Sequence, residues 1–113
     1  MSTADIKKSE IKFIVSLDSD KLPVAIDWKA DDTGMVAEKP CKAMMISLWD
    51  GNEQTTMSLD LWTKDMTIDE MKRFMFEILV GLSSTYMKAT SDDEVTEEMK
   101  EFAERFRAIA EVK

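Results

Sequence analysis

No histidine occurs among the 113 residues, and there is a single cysteine, Cys41. The first absence removes the usual acid–base near neutral pH and the commonest metal ligand. The second excludes an internal disulfide, a CxxC redox pair and a cysteine-rich zinc site. Cys41 follows Pro40 at the entrance of an expected strand, and no base is in view to ionise it. It therefore reads as a structural thiol rather than a nucleophile. No apolar run approaches the ~20 residues that cross a bilayer, so no direct membrane insertion is expected. Residues 1–10 are polar and lack the apolar segment of a secretory signal, which points to a cytoplasmic chain. Clustered Lys and Arg are missing beyond Lys7-Lys8 and Lys72-Arg73. Fifteen basic residues against twenty-three acidic ones leave a net charge of −8. Nucleic acid and anionic membrane surfaces are thus disfavoured as partners.

What is present is ordinary for a globular protein: 44% apolar and 34% charged residues, in a length that supports one modest core. The expected organisation is a single α+β domain over residues 9–113, preceded by a flexible N-terminal arm, residues 1–8. Ile11, Phe13, Val15 and Leu17 alternate with mostly polar neighbours, the period-2 mark of a strand. Asp18-Ser19-Asp20-Lys21 is a turn by composition. Val24, Ile26 and Trp28 then alternate again, completing a hairpin. Residues 36–42 are ambiguous, and Pro40 restricts pairing there. Met44, Ile46 and Leu48 share one face of a third strand, residues 43–49. Met57, Leu59 and Leu61 do the same in a fourth, residues 55–62. Asp50-Gly51-Asn52-Glu53 carries the Gly-Asn pair expected of a two-residue turn. That turn sets Leu48 opposite Thr55 and Ile46 opposite Met57, with both apolar sets on one face.

The stretch 62–89 dominates the second half. Thr67-Ile68-Asp69-Glu70 fits a capping box, in which the Thr hydroxyl and the Glu carboxylate each satisfy a free N–H of a helix start. Met71, Phe74, Ile78, Leu82 and Ala89 define one apolar face of that helix. Phe76, Val80 and Met87 define a second, with Met75 and Leu79 between. Such a helix needs cover on more than one side. A second helix, with Ser91 and Glu94 as its expected capping box, carries the stripe Val95, Met99, Phe102, Phe106 and Ile109. Ala103 and Ala110 lie beside the stripe, and Glu101–Arg105 forms an i,i+4 pair. This helix can cover the second face of the first; a homodimer seam is the alternative. The expected architecture is ββββαα, a four-stranded antiparallel meander sheet with both helices packed on one face.

Among candidate sites, Asp18-Ser19-Asp20 and Asp50-Gly51-Asn52-Glu53 lack the twelve-residue ligand series of a calcium loop, and turn chemistry accounts for both. Asp60, Asp65, Asp69 and Glu70 are acidic neighbours, but no nucleophile or phosphate-cradling loop accompanies them. No catalytic, cofactor or metal residues are expected. On the sheet face opposite the core, Met45, Trp49 and Trp62 form an apolar patch with Asp60 and Asp65 at its rim. An exposed aromatic and Met surface suits protein binding.

Lys8-Ser9-Glu10-Ile11-Lys12-Phe13, Ser47-Leu48-Trp49-Asp50 and, above all, Leu59-Asp60-Leu61-Trp62-Thr63-Lys64-Asp65-Met66 leading into Asp69-Glu70-Met71-Lys72-Arg73-Phe74 resemble the gliding motility-associated protein C (GldC) family of Bacteroidota. The resemblance covers nearly the whole chain and is least distinctive after Thr90. It implies a small cytoplasmic accessory protein of gliding, without enzymatic activity, acting on a protein partner of the motility or envelope machinery. It brings no catalytic residues. A different class of function is a small acidic chaperone or escort that holds an apolar client segment, which the ten methionines permit.

Overall fold

The computed structural model describes residues 5–113. The expected N-terminal arm therefore lies partly outside the described residues, at 1–4, and residues 5–8 are exposed. Five strands precede two helices: β1 (Ile11–Leu17), β2 (Pro23–Ala30), β3 (Lys39–Cys41), β4 (Ala43–Asp50), β5 (Thr55–Trp62), α1 (Ile68–Thr90) and α2 (Asp93–Ile109). The described chain divides into two compact units, one ending at Met66 and the other spanning Thr67–Lys113.

In the first unit the strands build two antiparallel sheets, β1-β2-β3 and β4-β5, in place of the expected single four-stranded meander. The reason lies in residues 31–42. A short 3-10 turn at Asp31–Thr33 ends in Gly34, whose φ of 71° is open to glycine at no steric cost. The chain then returns along the free edge of β2, pairing Ile26 with Cys41 and Trp28 with Lys39. Pro40, without an N–H, is accommodated because β3 is an edge strand of three residues. A bend at Lys42 redirects the chain, and β4 starts afresh with β5 as its partner.

The β1–β2 hairpin pairs Val15 with Ile26 and Phe13 with Trp28, as period-2 alternation requires. Its turn is organised by Asp18, whose carboxylate accepts from the N–H groups of Asp20 and Leu22. Lys21 takes the left-handed conformation there. The β4–β5 hairpin closes with a four-residue loop, not the expected Gly51-Asn52 turn. Asp50 accepts from the N–H groups of Asn52 and Glu53 through its side chain, and from Gln54 N–H through its carbonyl. Gln54, with φ 55°, supplies the left-handed residue. Asp50 thus faces Thr55, Leu48 faces Met57 and Ile46 faces Leu59, two residues from the expected register. A shift of two preserves parity, so the same side chains still share each face. Met44 and Ile26 are buried, whereas Leu48, Met57 and Leu59 are exposed although they lie on the expected core face.

The second unit is a helical hairpin. The capping box of α1 is present as expected: Glu70 N–H donates to the Thr67 hydroxyl oxygen at 3.1 Å, and Thr67 N–H donates to the Glu70 carboxylate at 3.0 Å. The cap of α2 is Asp92, which accepts from Val95 N–H. Ser91 instead takes a left-handed conformation that closes α1, its N–H donating to the Met87 carbonyl. The helices run antiparallel. Tyr86 donates its hydroxyl to Asp92, and at the other end Arg73 reaches the Lys113 carbonyl while the Lys113 ammonium reaches Asp69. Ser83 of α1 and Thr96 and Ala103 of α2 are buried, so the two helices approach through small side chains. Val95, Phe102 and Ile109, three members of the expected stripe, face outward. The Arg105 guanidinium lies 5.8 Å from the centre of the Phe102 ring rather than pairing with Glu101. On α1, Val80 and Leu82 remain exposed, one on each apolar face.

Candidate protein-contact site

The five candidate residues fall on β4, on β5 and just beyond it, and the pairing register decides which of them meet. Trp62 stands opposite Ala43, and Met45 opposite Asp60. Directly opposed residues share a face, and diagonal neighbours stay within reach of long and aromatic side chains. Trp62, Met45 and Asp60 thus form one group at the open end of the hairpin. Trp49 stands opposite Thr56 at the turn end. Ala43 and Trp49 are six steps apart along β4, or about 20 Å at the rise of a strand. The structure does not bring the two tryptophans together. Between them Ser47 faces Ser58, their hydroxyl oxygens 3.4 Å apart. Trp62 is 56% exposed and Trp49 is 63% exposed.

Beyond Trp62 the chain is firmly held. Thr63 is buried, and its N–H donates to the Lys42 carbonyl at 2.7 Å. Its hydroxyl donates to the Asp65 carboxylate at 2.6 Å, and the Lys42 ammonium lies 3.9 Å from the same carboxylate. Asp65 is therefore a positioning residue of this corner as well as a charge at its rim. The N–H of Lys64 donates to the Pro23 carbonyl at 3.1 Å, which brings the start of β2 against the end of β5.

That juxtaposition creates a feature that alternation of side chains could not announce. An open groove of about 290 Å³ is lined by Leu22, Pro23, Asp60, Leu61, Trp62 and Lys64. Its volume sits at the lower end of small-molecule sites and suits an anchoring side chain. Its walls are mainly apolar. The one cationic residue of its lining, Lys64, is already engaged by Asp18 at 2.8 Å. This contact, followed by the Leu22 N–H, holds the Asp18 carboxyl below the usual carboxylate range.

Elsewhere the chemistry is quiet. Partial burial, with the Asp27 carboxylate as a further cause, pushes the Cys41 thiol up, away from the thiolate form that reacts. Among the described residues no group of three or more His, Cys, Asp or Glu is placed to hold a metal ion. No helix among them is long and apolar enough to cross a membrane.

No curated protein and no solved structure gives a significant match to this chain. A family model does match it, over residues 23–112, a span that includes the Trp62 corner, every groove-lining residue but Leu22, and both helices. The chain belongs to the GldC-like family, that of gliding motility-associated GldC-like proteins.

Proposed function

We propose that this chain is a non-enzymatic, cytoplasmic accessory protein of gliding motility that works by binding another protein. Trp62, Met45 and Asp60 form the contact surface, Asp65 braces it, and Trp49 is a second, separate anchor. The observation that carries the reading is the half-exposed indole of Trp62 beside the groove, on a corner immobilised by Thr63 and Lys64. A rigid aromatic beside a pocket is the usual form of a binding hot spot. The test is a cross-linked affinity capture of the tagged protein from its native cells, with Trp62→Ala and Trp49→Ala as controls. Recovery of motility or envelope components by the wild type, lost with Trp62→Ala, supports role and surface together. Equal recovery by both variants removes the surface, and recovery of no such component by the wild type removes the role.

A second reading, a chaperone or escort for an apolar client segment, is favoured by the opposite face of the same hairpin. Leu48, Met57 and Leu59 are all exposed there, and Met packs adaptably against varied partners. Suppression of aggregation of unrelated clients, abolished by Met57→Lys, separates this reading from a dedicated partner.

A further inference from the structure

Resting on the reading of the Trp62 corner as a protein contact, the geometry points to the chemistry of what enters the groove. We propose that it receives an arginine side chain from a basic, extended segment of the partner protein. Among the described residues the Asp60 carboxylate has no ion pair or hydrogen bond. The other charges of the corner are engaged: Lys64 by Asp18, and Asp65 by Thr63 and Lys42. Of the charged residues that line the groove, Asp60 alone is thus uncompensated, and Leu22, Pro23, Leu61 and Trp62 complete the lining.

The side chain that complements this set has an apolar stem and a flat cationic head. Arginine meets both needs. Its stem lies along Leu22 and Pro23, and its guanidinium pairs with both oxygens of Asp60 while stacking on Trp62. Lysine, a strongly hydrated point charge, can satisfy the carboxylate but not the stacking geometry. The wider field agrees. Residues 42–65 hold four carboxylates, Asp50, Glu53, Asp60 and Asp65, against two bases, Lys42 and Lys64, in a chain of net charge −8. A basic segment is drawn to such a surface and a second acidic copy is repelled.

The test uses the full chain and two blocked octapeptides, one alternating Arg and Leu and the other alternating Lys and Leu. Binding is followed by tryptophan fluorescence and isothermal calorimetry at 50 and 200 mM salt. The Arg peptide should bind about tenfold or more tightly than the Lys peptide, since one bidentate, stacked contact is enough for that ratio. Its affinity should fall as salt rises. Asp60→Asn and Trp62→Ala should each weaken it about tenfold, with Asp60→Asn, an isosteric exposed change, keeping the urea midpoint of the wild type. Val36→Ala, a 96% exposed change outside both the groove lining and the contact surface, should leave it unchanged. Equal affinity for both peptides, or an Asp60→Asn variant that binds as the wild type does, overturns the proposal. So does sedimentation showing a dimer that Trp62→Ala dissociates, because a second copy would then fill the groove. If the peptides fail while capture of motility components still depends on Trp62, the arginine pocket falls and the contact surface stands.

Discussion

The Lys64 ammonium lies 2.8 Å from the Asp18 carboxylate, joining the chain just beyond β5 to the turn between β1 and β2. The same carboxylate accepts the Asp20 and Leu22 N–H groups that shape this turn, and Leu22, Pro23 and Lys64 all line the groove. One ion pair thus ties the two hairpins of the first unit and neutralises the one cationic residue of the groove lining.

A pH dependence follows from this pair. The folded protein holds the Asp18 carboxyl below its ordinary value, chiefly through Lys64 and then through the Leu22 N–H. A carboxyl depressed on folding stabilises above the unfolded value, near about 3.9, and loses that effect as pH falls through the folded value. Asp18→Asn keeps an oxygen for the turn but removes the charge. Its urea midpoint should sit below that of the wild type by a constant margin between pH 5 and 7. The margin should close as the pH drops below about 4. A margin that persists unchanged in acid would mean that the pair contributes nothing.

At the start of α1 the expected outcome is simpler. Thr67→Ala removes the acceptor for Glu70 N–H and half of a reciprocal cap. Loss of an N-cap oxygen costs about 0.5–2 kcal/mol, measurable by urea unfolding, and Thr67→Ser should restore most of it. An alanine variant as stable as the wild type would show that solvent satisfies these N–H groups equally well.

Burial along β4 and β5 predicts an asymmetry between two methionines on the same sheet face. Met44 is 7% exposed and Met57 is 65% exposed. Met44→Ala should cost about 2–5 kcal/mol, as for other buried side chains truncated to alanine. Met57→Ala should stay within about 0.5 kcal/mol, as surface changes do. Comparable losses at both sites would show that the outer half of this face is covered in solution.

Local chemistry was legible wherever one residue type had one role to play. Alternation marked β1, β2, β4 and β5, and the Thr67–Glu70 spacing marked the start of α1, because a cap needs only four residues to act. What escaped the sequence depended on competition between neighbours. Asp50 offers its carboxylate to two N–H groups, which favours a four-residue loop over the Gly51-Asn52 turn that composition suggests. Ser91 and Asp92 both resemble N-caps, and Ser91 is consumed in closing α1. The three-residue strand β3 is too short for any periodicity, yet it takes the edge of β2 and thereby divides the sheet. That Trp62 and Asp60 share a face could be read from alternation alone. The groove beside them could not, since Leu22 and Pro23 arrive there through a backbone bond from Lys64.

The helical hairpin supplies the sharpest comparison between pattern and packing. Hydrophobicity alone puts Phe102 at the centre of the α2 stripe and Ala103 beside it. In the structure Ala103 is 1% exposed and Phe102 is 49% exposed. The contact line runs through Thr96 and Ala103 because small side chains let α2 come close to α1, where Ser83 is also buried. Ala103→Leu forces extra methylenes into that contact and should cost about 1–3 kcal/mol. Phe102→Ala leaves a half-exposed position and should cost well under the roughly 3–5 kcal/mol of a buried phenylalanine. Urea unfolding of the two variants decides the matter. If Phe102→Ala proves the more damaging, α2 is rotated in solution so that its apolar stripe, not its small residues, faces α1.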